Sequence, residues 1–392
     1  MPGRISWSRC AVCALILLLG LVIDVQAGWQ IETVDSDGGG EYASLLLVND
    51  VPHIAYTNPV QARYARYDTV SQSWVTEVLH PGQASYTHTS LTFLNGVPHV
   101  GLCNSSGGML MAARNGMGIP ENEDWEWTSV DGSIDTYSNL RADSSGNLHA
   151  CGYDADQRRL RYAYYPAGGT AWTNQTIDNN GDVGGGCSMA LDGTTPHISY
   201  RDDTNGALKY ASYQPGMTPP YFWDKETVPG TDNLAGYTSI AVDNDNEIHA
   251  SFHERGGDGH KIRYATGEFG AWSTEDATWN DTGWYNSIAV DEDDRPHIAE
   301  FLNGMLYLNW RDADGDWHWE IVDDGIRPDN PHSVGSYCSI ALDSQGRPHI
   351  AYWDDTSGSL VYAVRDTAVP EPGTLSLLAL GGLAILRRRR EG

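Results

Sequence analysis

Small and large residues alternate along Ser339-Ile340-Ala341-Leu342-Asp343, and the alternation resumes in Pro348-His349-Ile350-Ala351-Tyr352 after the turn Ser344-Gln345-Gly346-Arg347. A period of two on both sides of a short turn predicts the two strands of a hairpin. A third strand, Leu360-Val361-Tyr362-Ala363, follows the polar stretch from Asp354 to Ser359. The same third strand reads Leu208-Lys209-Tyr210-Ala211, Ile262-Arg263-Tyr264-Ala265, Leu160-Arg161-Tyr162-Ala163 and Ala62-Arg63-Tyr64-Ala65 elsewhere in the chain. A fourth opens on tryptophan: Trp74 to Val78, Trp127 to Asp131, Trp172 to Asp178, Trp223 to Val228, Trp272 onward, and Trp319 to Asp323.

The pattern recurs seven times. Copies of the first two strands begin at Tyr42, His88, Tyr137, Gly186, Tyr237, Tyr285 and Tyr337, and each keeps a histidine in one place: His53, His99, His149, His197, His249, His297 and His349. Successive histidines lie 46 to 52 residues apart, a period that belongs to propeller blades, with four strands to a blade. The seventh copy stops at Asp366 without its fourth strand, while an orphan strand, Trp29 to Asp35, precedes the first copy. Joining the two completes the last blade and removes the open sheet edges. The expected fold is all-β: a seven-bladed β-propeller of four-stranded blades, the last closed by the N-terminal strand of the mature chain. Blades of the Pro-His-Ile-Ala-Tyr type resemble the repeat propellers common in secreted bacterial proteins, and the resemblance covers residues 28–366.

The two ends read as processing signals. Arg4 and Arg9 precede an apolar run from Ala11 to Ile23, and Val25-Gln26-Ala27 supplies small residues before a cut, so residues 1–27 are expected to be a secretory signal peptide removed by signal peptidase. At the other end Val369-Pro370-Glu371-Pro372 is followed by an apolar run, Leu375 to Leu386, and by Arg387, Arg388, Arg389 and Arg390. Three ordered parts at a C-terminus, here over residues 367–392, resemble the PEP-CTERM sorting tail. That resemblance implies export and handling by an exosortase-type membrane enzyme. The apolar run is short for a span of about 20 residues, and clustered arginine favours the cytoplasmic face, so a transient inner-membrane anchor is expected on the way to the envelope surface or the medium.

Charge narrows the partners. The chain carries 24 basic and 52 acidic residues, a net −28; six of the basic and three of the acidic residues lie outside residues 28–369, which leaves the body at −31. Nucleic-acid binding needs a basic footprint and is excluded. Cys10 and Cys13 leave with the signal peptide. Cys187 and Cys338 share one slot on distant blades, too far apart to bridge, so Cys103, Cys151, Cys187 and Cys338 are expected to be free, buried thiols despite the oxidising destination.

Candidate chemistry is sparse. Seven histidines in one slot of a ring cannot reach a common ion and are read as structural, hydrogen-bonding a neighbouring turn or strand. Asp312-Ala313-Asp314-Gly315-Asp316 resembles a calcium loop but lacks the twelve-residue pattern with its terminal glutamate, and Asp-Gly there signals a turn. Neither a metal nor a cofactor is expected. The loops that vary between repeats, Asn179 to Gly186, Pro229 to Gly236, His253 to His260, Thr278 to Trp284 and Asp324 to Ser336, open on one face. There the slot before each first strand holds Tyr42, Tyr137, Tyr237, Tyr285 and Tyr337, with His88 and Gly186 as exceptions. This tyrosine ring is the candidate surface for an extracellular glycan or protein ligand, and Gly186 is expected to open one side of it. No G-x-S-x-G, H-E-x-x-H or P-loop occurs. The expected function is a non-catalytic exported binding propeller, directed at exopolysaccharide or another envelope component; the alternative is a glycan-acting propeller hydrolase or lyase.

Overall fold

The computed structural model describes residues 24–26, 28–58, 60–79, 86–104, 107–114, 125–214, 223–256, 259–278, 284–328 and 330–366. Seven antiparallel sheets form a ring of blades of four strands each, and no helix occurs among the described residues. Blades 1 to 6 span 41–78, 86–131, 136–178, 183–227, 234–276 and 286–323. Blade 7 runs Val334–Leu342, Pro348–Asp354 and Ser359–Arg365, and its fourth strand is Trp29–Asp35, with Glu32 opposite Tyr362. A short outer strand, Asp24–Gln26, pairs with Trp29–Asp35 at the edge of this blade. It lies inside the segment expected to leave with the signal peptide.

Three repeated contacts join the blades, and each explains a repeated residue. On the innermost strands the Ser44 hydroxyl accepts from Leu91 N, Ser90 from Leu140 N, Ser239 from Ile288 N and Ser339 from Leu45 N, at 2.9 to 3.1 Å. The last of these closes the circle between blades 7 and 1. Midway out, each third-strand tyrosine meets a tryptophan of the next blade edge to face: Tyr64 with Trp125, Tyr162 with Trp223, Tyr210 with Trp272, Tyr264 with Trp317 and Tyr362 with Trp74, centroids 4.9 to 5.4 Å apart. Aromatic pairs of this geometry add to the area they bury. At the rim, the Trp74, Trp272 and Trp317 indoles donate to Glu32, Glu226 and Glu275 of the preceding blade. Between these layers lie apolar clusters, one per blade interface, such as Ile31, Leu306, Val322, Ile350 and Tyr352 between blades 6 and 7.

The repeat histidines work within their own blades. Nδ1 of His53, His149, His197 and His249 lies 2.5 to 2.6 Å from the hydroxyl of Tyr64, Tyr162, Tyr210 and Tyr264, and His349 bonds Tyr362 in the same way. His149, His249, His297 and His349 also meet the turn aspartates Asp143, Asp243, Asp291 and Asp343 through Nε2. His99 bonds the Val97 carbonyl instead, because Met111 stands where five other blades have tyrosine; blade 6 has Leu308 in that place.

Candidate functional site

A bulge in the register opens the first strand of most blades, for example between Glu41 and Ser44 and between Thr87 and Ser90. The extra residue takes a left-handed conformation at Tyr42 (φ 53°), His88 (55°), Tyr137 (57°), Gly186 (60°) and Tyr337 (53°). Bulges re-aim a side chain, and here they place the ring residues together around the axis. Tyr285 and Tyr337 are 4.3 Å apart between centroids, Tyr337 and Tyr42 4.4 Å, Tyr42 and His88 4.4 Å, His88 and Tyr137 4.7 Å, and Tyr237 and Tyr285 5.1 Å. Tyr137 and Tyr237 meet at 5.5 Å across the Gly186 position. The expectation that Gly186 opens one side of the mouth is therefore corrected: its neighbours lean together over the missing side chain, and a Cβ there would stand 2.9 Å from the Gly236 carbonyl oxygen. Six aromatic rings form a floor across the channel.

Rigid backbone contacts fix the floor. The Thr89 and Ser138 hydroxyls donate to the Tyr42 and His88 carbonyls of the preceding blade, Thr238 to the Gly186 carbonyl, and the Asn286 amide to the Tyr237 carbonyl. Cys187 and Cys338 occupy the same slot and point Sγ at the Tyr137 and Tyr285 carbonyls at 3.1 and 3.8 Å. Six repeats place a side-chain donor there, the thiols among them, and the first places Ala43. All four described cysteines are free and buried; Cys151, unanticipated from its spacing, lies 4.0 Å from Cys187 between sulfurs.

Above the floor stands a wall supplied by second strands. Tyr153, Phe301 and Trp353 lie beside Tyr137, Tyr285 and Tyr337 at 5.8 to 6.5 Å. In the equivalent slots blade 4 places Arg201, which donates to the Gly236 carbonyl at 2.8 Å and pairs with Asp203, and blade 5 places His253. The fully buried His253 Nε2 meets His260 Nδ1 at 2.9 Å, the two imidazoles stack 4° from parallel, and half-exposed Trp284 of blade 6 lies 5.3 and 5.7 Å from them. Burial, and secondarily His260, pushes the His253 pKa down to about 4, so its imidazole is neutral near pH 7. Arg255, Lys261 and Arg263 share this hairpin with the two histidines; Lys261 pairs with Asp276, and Arg263 with Glu254 and Asp276. Across the mouth, burial and then Asp355 hold the Glu41 carboxyl above the usual range. Sequence reasoning had His253 and His260 only as ends of a variable loop; their pairing depends on a hairpin bringing residues seven apart face to face.

Other candidates fall into place away from the mouth. Asp312 accepts from Asp314 N and Asp316 N and meets His318 Nε2 at 2.6 Å, which makes the 312–316 stretch a turn closed by its own acid. Asp243, Glu247 and His249 bring three potential metal donors within 4.8 Å of one another, but Asp243 accepts from Asp245 N, Glu247 N and His249, as the repeat requires. A cavity of about 780 Å³ on the opposite face, between blades 5 and 6, is lined by charged turn residues including Asp293, Arg295, Arg311 and Asp314. Val369, Pro370, Glu371, Pro372 and Arg387 to Arg390 lie outside the described residues, as does most of the expected signal peptide. No helix among the described residues is long and apolar enough to cross a membrane.

Residues 368–390 match the PEP-CTERM protein-sorting motif. The motif indicates export and envelope-associated sorting and implies processing by an exosortase-type enzyme. No curated protein matches the chain. Among solved structures it is similar in fold to the polysaccharide lyase Uly1 (TM-score 0.53, 11% identity, covering 83% of this chain and 90% of that one). It is also similar to AofleA from Arthrobotrys oligospora (TM-score 0.51, 11% identity, 75% and 89% covered). The expectation of a non-catalytic protein is corrected by the first of these. A propeller of this architecture carries the name of a lyase, and a propeller gathers its mouth residues from separate blades, so missing linear motifs do not argue against catalysis.

Proposed function

We propose that the chain is an exported, glycan-acting enzyme that works from the channel mouth, cleaving a carboxylate-bearing polysaccharide by elimination. The observation that carries this reading is the His253–His260 pair, in which the buried His253 imidazole is neutral, set beside an aromatic floor and Arg255 of the same hairpin. The fold likeness to a polysaccharide lyase supports the same reaction class. Sugar rings stack on Tyr285, Tyr337 and Trp284, while Arg255, directly opposite His260 on the hairpin, offsets the charge of a uronate carboxylate. The imidazole pair takes the proton on the carbon next to that carboxylate. The electrons of the broken C–H bond form a double bond to the adjacent carbon, whose bond to the glycosidic oxygen breaks with its pair leaving on oxygen, and a tyrosine hydroxyl of the floor protonates that oxygen. Burial first, and then its tyrosine neighbours, sets the Tyr285 hydroxyl at about 12, so it enters the reaction protonated. In the same proposal residues 1–27 are a cleaved leader, residues 28–366 the propeller, and residues 367–392 a sorting tail that anchors the chain transiently.

The test is incubation of the full chain with uronate-containing and neutral polysaccharides, reading the ultraviolet absorbance of the new double bond and the appearance of reducing ends. Both signals with uronate substrates, lost in folded His260→Ala and His253→Ala, are the expected result. Reducing ends without absorbance would replace elimination by hydrolysis and move attention to Glu41 and Asp355. Cleavage of no polysaccharide would overturn the reading.

A further inference from the structure

Beneath the aromatic floor the channel holds a cavity of about 170 Å³, lined by inner-strand residues of all seven blades, among them Ser44, Ser90, Ser239, Ser339, Asn139 and Arg141. No carboxylate lines it. Directly opposite its histidine each repeat places Leu46, Thr92, Ala190, Ala241, Ala289 or Ala341, and the third repeat alone places a cation, Arg141 opposite His149. Arg141 turns toward blade 2, where Nη1 donates to Ser90 Oγ at 3.0 Å, and it also meets the Leu140 carbonyl at 2.9 Å. Both acceptors are uncharged.

This setting departs from the rest of the molecule. Other partly buried arginines meet a carboxylate: Arg63 meets Asp35, Arg161 Asp131, Arg327 Asp323, and Arg365 Glu320. With 52 acidic residues in the chain, none is placed against Arg141 among the described residues. Guanidinium does not shed its proton in a protein, although burial pushes its pKa down here. A cation withdrawn from water without a counter-charge is costly. Ser90 gives its own proton to the Leu140 carbonyl at 3.2 Å, whereas Ser44, Ser239 and Ser339 accept from backbone N–H groups, and their hydroxyl protons suit a small anion.

We propose that the channel binds a small monovalent anion, a halide or a one-carboxylate ion, on Arg141 and the neighbouring hydroxyls. The site is independent of the glycan chemistry at the mouth: it lies under the floor and uses none of the His253–His260 machinery. The anion supplies the counter-charge that the sequence leaves out, and so joins blades 2 and 3 at the axis.

The test measures thermal unfolding of the full chain in sodium chloride, bromide and acetate against sodium gluconate at equal ionic strength, with bromide located by anomalous scattering in crystals. Expected are a saturable rise in Tm with the small anions and a bromide peak within hydrogen-bonding distance of the Arg141 guanidinium. Arg141→Met should lose both while keeping or exceeding the wild-type Tm in gluconate. Equal Tm in chloride and gluconate, with no bromide in the channel, would overturn the proposal, as would a rise that persists in Arg141→Met. Should that variant not fold, the bromide map of the unaltered chain decides alone.

Discussion

The indole N–H of Trp29 donates to Glu320 Oε1 at 3.0 Å, although 291 positions separate the two in sequence. Arg365 pairs with the same carboxylate, so the first strand of the ring, its last strand and blade 6 meet at one acid. Trp29 is 1% exposed. Trp29→Ala should therefore cost about 3–5 kcal/mol, read as a lower urea midpoint, and a loss under about 1 kcal/mol would mean the closing strand adds little.

Acid should weaken the fold from the histidines first. Burial, aided by Arg66 and Arg114, pushes His53 from its ordinary 6.5 to about 4, and burial takes His197 to about 4 and His88 to about 3. Groups that take up protons more readily when unfolded make stability rise with pH. Their contribution is full above about pH 6.5 and is lost as pH falls toward 4. A pH series of Tm should slope upward across that window, with His53→Gln flattening the slope.

Glu300 acts in the opposite sense. It stands in the second-strand slot that holds Tyr56, Tyr200 and Tyr352 in other blades, and burial raises its carboxyl from 4.5 to about 7. One oxygen accepts from Asn309 at 2.9 Å, and the other has no partner. An acid that binds its proton more tightly when folded loses stability as pH rises through this interval. Glu300→Gln should stabilise the protein above pH 7 by roughly 3 kcal/mol at most and change little near pH 4, as paired Tm curves would reveal.

The tyrosine floor should separate packing from chemistry. Tyr285→Ala opens a hole between rings 4.3 and 5.1 Å away and should cost about 3 kcal/mol, whereas Tyr285→Phe keeps the packing. If the hydroxyl protonates the leaving oxygen, Tyr285→Phe lowers kcat about a hundredfold or more with KM nearly unchanged. Equal activity of the Phe variant and the unaltered chain would remove Tyr285 from that role.

The thiols should be silent in the folded state. Burial holds Cys103 up at about 12, well above its ordinary 9, and the thiolate is the reactive form. A thiol reagent at neutral pH should modify none of the four body cysteines until denaturant is added, and then all four. A count of two in denaturant would show that Cys151 and Cys187, 4.0 Å apart, had joined.

The blade was legible in the sequence because alternation and a fixed period act along the chain. The missing fourth strand of the seventh copy pointed at Trp29 to Asp35, and the two strands do pair. The entry of the sixth blade's fourth strand was read two residues late: the strand begins at Trp317, which packs on Tyr264, while Trp319 on the same strand is 58% exposed. Two tryptophans in alternation look alike to a pattern, and only the neighbouring blade separates them. The Tyr-x-Ser start of four repeats was visible, but the serine's bond to the next blade was not, since its partner lies about 50 residues onward. His253 with His260, Cys151 with Cys187, and Arg141 without an acid are relations between strands or blades, and a repeat pattern records only what the copies share.

The strand synthesised first completes the blade synthesised last. Trp29–Asp35 has no lasting partner until Ser359–Arg365 arrives, immediately ahead of the sorting motif at 368–390. A chain cut short anywhere before that point keeps an unpaired strand at each end and no ring. Closure of the ring is therefore a report of length: the last segment before the sorting motif is the one that locks the molecule, so a closed propeller contains every blade.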